Sequence, residues 1–271
     1  FQQIQLWRCD MSELLKVEGL SVTFGGLKAL NDVYIELHKN EVLGLIGPNG
    51  AGKTTLFNAI SGLVPPSTGK FSLEGKNSPW PKTHQLAKLG IARTLQGVGL
   101  FSGLTALENV MVGAEAHASK GFFADLFGTS GKSEAKLKAR AHKALAWAGA
   151  TAFADKLPSQ LTYPDSKRVA LARALVLEPK ILLLDEPAAG LGHDEIEKLA
   201  NLILQLKEFY SIIVVEHNVE FVNKISDRVY VLNFGEVIAS GPFEKVRQDP
   251  AVVAAYLGTS IAADAKLGTG N

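Results

Sequence analysis

The chain has 271 residues, 46% of them hydrophobic and 20% charged, with 28 Lys and Arg against 27 Asp and Glu for a net charge of +1. That length suits one large α/β domain with a smaller lobe, and the near-neutral balance gives no electrostatic case for nucleic acid as a partner. A single cysteine, Cys9, excludes an intrachain disulfide and a cysteine-cluster metal site, and no window reaches the roughly 18 to 20 unbroken apolar residues of a membrane span.

Residues 1–10 precede Met11 and lack the basic start and long apolar core of a signal peptide, so they read as an upstream extension to a domain over 11–258. Leu15 to Glu18 and Ser21 to Phe24 alternate as half-buried strands do, and Val33 to Leu37 continues the pattern, so an antiparallel β layer opens the domain. Val42 to Ile46 is a short apolar run of the kind found in buried parallel strands.

Directly after it comes Gly47-Pro48-Asn49-Gly50-Ala51-Gly52-Lys53-Thr54-Thr55, a complete G-x-x-x-x-G-K-[ST] phosphate loop leading into a helical run. Its glycines let successive N–H groups turn toward phosphate oxygens, and the helix adds its positive end. Lys53 supplies a cation for the outer phosphates, and the Thr54 hydroxyl suits magnesium. The loop therefore points to a nucleoside triphosphate.

Ile91 to Leu95 is followed by Gln96, a neutral amide suited to magnesium or water rather than to proton transfer. Between about 105 and 177 strand signals vanish and helical spacing takes over, which reads as a helical lobe inserted in the core. Lys132, Lys136, Lys138, Arg140 and Lys143 fall in this stretch and fit a solvated helix face better than a binding patch. Tyr163 to Leu177 and Asp194 to Phe209 carry helical faces beside the apolar runs Ile181 to Leu184 and Ile212 to Val215, the βαβ alternation of a parallel sheet.

Asp185 and Glu186 end the first of those runs, where ligands sit in open α/β sheets. Beside a phosphate loop, Asp185 can hold magnesium and Glu186 can orient and deprotonate the attacking water. His217 follows the last apolar run and can donate a hydrogen bond to the γ-phosphate. The tail, 259–271, is small and polar and reads as a frayed end.

Phe24, the phosphate loop, Gln96, Leu161-Thr162-Tyr163-Pro164-Asp165, Asp185-Glu186-Pro187, Ala189-Gly190-Leu191 and His217 stand in an order that resembles the ATP-binding-cassette ATPases. The resemblance spans nearly everything from Leu14 to Gly258. Gly90 to Thr94, Asp185 to Leu191, Val215-Glu216-His217 and Ala255-Tyr256-Leu257-Gly258 look in particular like the ATPase subunits of branched-chain amino acid importers. The resemblance implies a phosphate-loop α/β core, an antiparallel β layer and a helical lobe. It implies ATP and Mg2+ as ligands, with Phe24 stacked on the adenine and Gly47 to Thr55 on the phosphates. Asp185 and Gln96 would hold the magnesium and its water, Glu186 would activate the nucleophile and His217 would meet the γ-phosphate. It also implies a second ATPase subunit, two membrane permeases, indirectly a solute-binding protein, and a peripheral place on the cytoplasmic face of the membrane.

One motif departs from the pattern. The family signature resembles Leu-Ser-Gly-Gly-Gln or Leu-Ser-Tyr-Gly-Gln, whereas this chain has Leu161-Thr162-Tyr163-Pro164-Asp165. Pro164 has no N–H to offer a phosphate, and Asp165 adds negative charge, although both residues suit the first turn of a helix. Losing a hydrogen bond to a charged group is expected to slow the affected site about ten- to a hundredfold. Gly192 likewise replaces the Asn or Asp usual after Ala189-Gly190-Leu191. Both changes lie on the half-site such a subunit lends to its partner, so an asymmetric heterodimer is expected. A GTPase is disfavoured, because Asn223-Lys224-Ile225-Ser226 lacks the base-reading carboxylate.

Overall fold

The computed structural model describes residues 12–94, 97–115 and 131–256, and these fall into two compact units, one built from 12–81 with 225–256 and the other from 82–224. The extension at 1–10, Gln96, the Lys132 side chain, Leu257-Gly258 and the tail at 259–271 lie outside the described residues.

In the first unit, β1 (Glu13–Phe24) runs antiparallel to β2 (Leu27–His38), with β4 (Thr68–Leu73) and β5 (Lys76–Ser78) extending the sheet in the order β2-β1-β4-β5. The two runs expected at Leu15 and Ser21 are one strand, interrupted by register shifts around Gly19, whose φ is +64°. Tight turns at Gly25-Gly26 and Glu74-Gly75 have positive φ at both central residues, the geometry whose twist matches paired strands.

The apolar run Val42–Ile46 forms β3, fully buried and parallel to β9 (Arg228–Asn233), and β10 (Glu236–Gly241) returns antiparallel to β9 through Phe234-Gly235, again with two positive φ values. Helix α1 (Lys53–Ile60) buries Leu56, Phe57, Ala59 and Ile60.

Arg228, at the start of β9, pins this unit together. Its guanidinium donates to both carboxylate oxygens of Glu41 and, at 3.1 Å and 3.0 Å, to the carboxylate and carbonyl of Glu36. Burial disfavours its charge, but the hydrogen bond and charge of Glu41 outweigh that and raise its pKa above the ordinary arginine value. Next to it, Asp227 accepts from the Val42 N–H at 2.9 Å, so β3 and β9 are locked at their beginnings.

In the second unit, β6 (Ile91–Arg93), β7 (Ile181–Asp185) and β8 (Ser211–Val215) are parallel neighbours in that order, and every residue of β7 and β8 is buried. Full burial on both faces explains why these strands read as unbroken apolar runs. Helices α2 (Ala106–Glu115), α3 (Gly131–Trp147) and α4 (Tyr163–Leu175) pack on one another. Gly113 permits a close crossing, since a Cβ there would lie 2.6 Å from Arg173 Cγ.

Ala141, Ala144 and Leu145 are the buried face of α3, while Lys136, Lys138, Arg140 and Lys143 are exposed, as a solvated face requires. In the first turn of α2, the fully buried Asn109 shares its amide N–H groups among the carbonyls of Phe101, Leu104 and Thr105 and accepts from the Phe101 N–H at 2.7 Å. Helix α5 (His193–Lys207) follows Gly192, and α6 (Val219–Ile225) follows β8.

Removing Arg228 would leave the Glu41 carboxylate, of which 5% is exposed, with only the His38 N–H and imidazole to offset its charge. Arg228→Met is therefore expected to cost about 3 kcal/mol, read as a fall in the urea unfolding midpoint. Arg228→Lys should recover only part of it, because an ammonium cannot span two carboxylates and a carbonyl as a planar fork does.

Candidate active site

The phosphate-loop residues form a curl between β3 and α1. Gly47, Gly50 and Gly52 have φ of +146°, +79° and +102°, values that side chains resist. Two of these glycines are also required by packing. A Cβ at Gly47 would lie 2.1 Å from the Leu232 carbonyl, and one at Gly52 would lie 2.9 Å from the Ala29 carbonyl and from Leu30 Cδ2. At Gly50 a Cβ would meet nothing, so that side of the curl is open.

Lys53 is buried, and its ammonium donates to the Gly47 and Pro48 carbonyls at 2.6 Å and 2.9 Å. Asn49, Gly50 and Thr54 are exposed. Helix α1 has no side-chain cap and no acidic residue in its first turn, so no carboxylate of its own first turn competes for its N-terminal N–H groups. An open curl, a lysine at its centre and an uncapped helix end suit a polyphosphate. The hydroxyl of Thr54 and the carboxylate of Asp185 are hard oxygen donors of the kind magnesium takes. Phe24 ends β1 beside the Gly25-Gly26 turn with 49% of its surface exposed, available to stack on a ring.

In the second unit the structure brings Asp185, Glu186 and His217 together with three residues that the sequence did not single out. Asp185 is buried at the end of β7 and pairs with Arg93 of β6 at 2.7 Å. Glu186 has a φ of +48°, a left-handed conformation that costs a non-glycine residue about 1 to 3 kcal/mol. Its carboxylate Oε1 lies 3.0 Å from His217 Nε2.

The strained turn is held from both sides. Lys167 of α4 donates to the carbonyls of Glu186, Pro187 and Ala189 at 3.1, 2.9 and 2.6 Å. Burial lowers its pKa from the ordinary lysine value, against the charges of Glu216 and Glu186. The buried Glu216 carboxylate accepts from the Ala188 N–H at 2.6 Å and from the His217 N–H at 3.0 Å, joining the turn to the segment that carries the histidine. Arg93 and Glu216 fall within runs that carry the resemblance, Gly90 to Thr94 and Val215-Glu216-His217, but nothing in those runs assigned them a role, and Lys167 stands in none of them.

The signature segment has a different geometry. Thr162 caps α4 by accepting from the Asp165 N–H at 3.3 Å, and its hydroxyl donates to the Asp165 carboxylate at 2.6 Å. Leu161 precedes the cap, Pro164 occupies the first turn, and the Tyr163 ring lies against Gly190, where a Cβ would come within 2.9 Å of Cε1. Gly192 offers no side-chain cap to α5, and a Cβ there would meet Glu195 Oε2 at 2.9 Å.

An open glycine curl with a buried lysine, and paired acidic residues at the end of a parallel strand, define a phosphate-loop nucleotide-binding domain. Residues 30–189 match the family described as ABC transporter, and residues 236–262 match the one described as branched-chain amino acid ATP-binding cassette transporter. The chain is 41% identical, over 90% of its length and 98% of theirs, to the high-affinity branched-chain amino acid transport ATP-binding proteins LivG of Salmonella typhimurium and Escherichia coli K12. It is 39% identical to BraF of Pseudomonas aeruginosa over the same shares. Among solved structures, MJ1267 in its ADP conformation, an ATP-binding cassette of an ABC transporter, superimposes with a TM-score of 0.81 at 31% identity, covering 91% of this chain and 99% of that one. The chain belongs to the ABC transporter ATP-binding family. It is a nucleotide-binding ATPase subunit, and the expected fold class, a phosphate-loop α/β core with mixed sheets and helices, is the observed one.

The packing around the curl separates its glycines. Gly47→Ala should lower the thermal midpoint much more than Gly50→Ala. The first forces a Cβ into the Leu232 carbonyl, and the second costs only the left-handed φ, about 1 to 2 kcal/mol. Melting curves of the two single variants check the order.

Proposed function

We propose that the chain hydrolyses ATP to drive an importer of branched-chain amino acids or a related small polar solute, from the cytoplasmic face of the membrane. The observation that carries this reading is the 41% identity to LivG over 98% of that protein's length. Among the described residues no helix is long and apolar enough to cross a membrane, so the reading places the chain on two permease subunits served by a solute-binding protein.

Gly47 to Thr55 bind the phosphates and Phe24 stacks on the adenine, an aromatic contact of about 1 to 3 kcal/mol by analogy with base stacking. Thr54 and Asp185, together with Gln96, would hold magnesium, which would offset phosphate charge. Asp185 already pairs with Arg93 at 2.7 Å, so a magnesium ion held there would compete with that guanidinium for the carboxylate. Glu186 takes a proton from the attacking water as its oxygen bonds to the γ-phosphorus and the bond to the β-phosphate oxygen breaks. His217, with Nε2 protonated, donates to Glu186 and orients the carboxylate, and it turns to the γ-phosphate when the nucleotide is present.

The proposed partner is a second, different ATPase subunit, each chain closing its signature over the other's nucleotide. This chain's signature is poorly equipped for that role. Pro164 has no N–H, and the Thr162 hydroxyl proton is already given to the Asp165 carboxylate. The nucleotide held by this chain is turned over, and the partner's is turned over slowly or only bound.

In the assembled complex, Glu186→Gln should reduce ATP turnover by about a hundredfold or more, while the same change in the partner's glutamate leaves most of it. Equal losses refute the asymmetry, and a loss confined to the partner's variant would favour a regulatory role for this chain. Uptake of labelled leucine, compared with urea and simple amides, in vesicles holding the complex tests the cargo.

A further inference from the structure

Lys167 has no place in the ATPase roles assigned above, yet it makes more polar contacts to the turn at Glu186 than any other described side chain. The turn reverses the chain at the end of β7, and its first residue, Glu186, is held in the left-handed region. The reversal aims the carbonyls of Glu186, Pro187 and Ala189 at one point, and the Lys167 ammonium stands there, three donors for three acceptors. Apolar packing does not replace it. On this side the turn faces a cavity of about 80 Å3 between α4 and α5, lined by Lys167 itself, Glu186, Pro187, Leu171 and Leu199.

Lys167 also belongs to the first turns of α4, the helix that Thr162 caps, and its ammonium lies 5.2 Å from the centre of the Tyr163 ring. The same ring packs on Gly190 at the far end of the turn. Signature segment and turn are thus tied by a cation on the carbonyls and by an aromatic ring on a glycine, both rooted in α4.

We infer that Lys167 is a positioning residue for Glu186: it holds the strained turn that presents the carboxylate and makes that turn move with the signature segment of its own chain. The inference rests on Glu186 being the base. Engagement of this chain's signature by the partner's nucleotide is then felt at this chain's own Glu186, even though the altered signature is poor at supporting hydrolysis.

The test uses the assembled complex. Lys167→Met keeps the aliphatic stem and removes all three donors. It should lower the turnover number about ten- to a hundredfold, the range expected when a reacting group is misplaced by about 1 Å. The KM for ATP should change by less than about twofold, since the phosphate loop is untouched. Lys167→Arg, which keeps the charge but cannot converge its planar fork on one point, should recover part of the turnover. Adding Lys167→Met to Glu186→Gln should reduce turnover no further, because both act through one carboxylate.

Lys167→Met within about twofold of the parent, with Glu186→Gln inactive, would overturn the inference while leaving the base assignment intact. So would losses that multiply in the double variant together with a raised KM, the mark of general damage. If Lys167→Met fails to assemble, Lys167→Gln carries the same expectation, with the same split between turnover and KM. A Glu186→Gln complex that keeps its turnover removes the base assignment itself, and the inference with it.

Discussion

Convergent carbonyls require a cation, and both chemical loops of this protein are built on that constraint. A chain that curls tightly enough to aim N–H groups or a carboxylate outward must turn some carbonyls inward, where water cannot reach all of them. In the phosphate loop the Gly47 and Pro48 carbonyls meet Lys53, and in the turn after β7 the carbonyls of Glu186, Pro187 and Ala189 meet Lys167. Each lysine satisfies its loop with a flexible ammonium rather than a rigid fork, so several acceptors share one charge. The first lysine can exchange carbonyls for phosphate oxygens. The second holds backbone on all sides.

The helix ends that follow loops in this structure diverge for an equally simple reason. At α1 the residue before the helix is glycine and the first turn has no acid, so the positive end of the helix is left to a ligand. At α4 the positive end is taken within the chain, by the Thr162 hydroxyl and the Asp165 carboxylate. Proline and aspartate there are good helix chemistry, which is why the first turn of α4 accepts both.

Much of this was legible in the sequence. The phosphate loop and the apolar strands β3, β7 and β8 follow from local spacing and composition, as do the described helices α2, α3 and α4. Less visible were strands whose side chains mix buried and exposed positions without clean alternation, such as β4 and β10. The ion pair of Arg93 with Asp185 joins residues 92 apart in sequence, and Lys167 reaches across about 20 residues to a turn that no motif marks as needing a cation. Such contacts arise from sheet order and from where carbonyls point, properties of the folded chain. The left-handed φ of Glu186 was hidden for the same reason, since a glutamate gives no hint of it.

The buried Asn109 has a mechanical meaning. Residues 101–105 have no repeating backbone structure, yet one amide side chain gathers the carbonyls of Phe101, Leu104 and Thr105 and the N–H of Phe101 onto α2. Irregular shape and slackness are therefore different things here. Four hydrogen bonds from one buried side chain fasten this irregular segment to the helix as firmly as a repeating backbone would fasten a regular one.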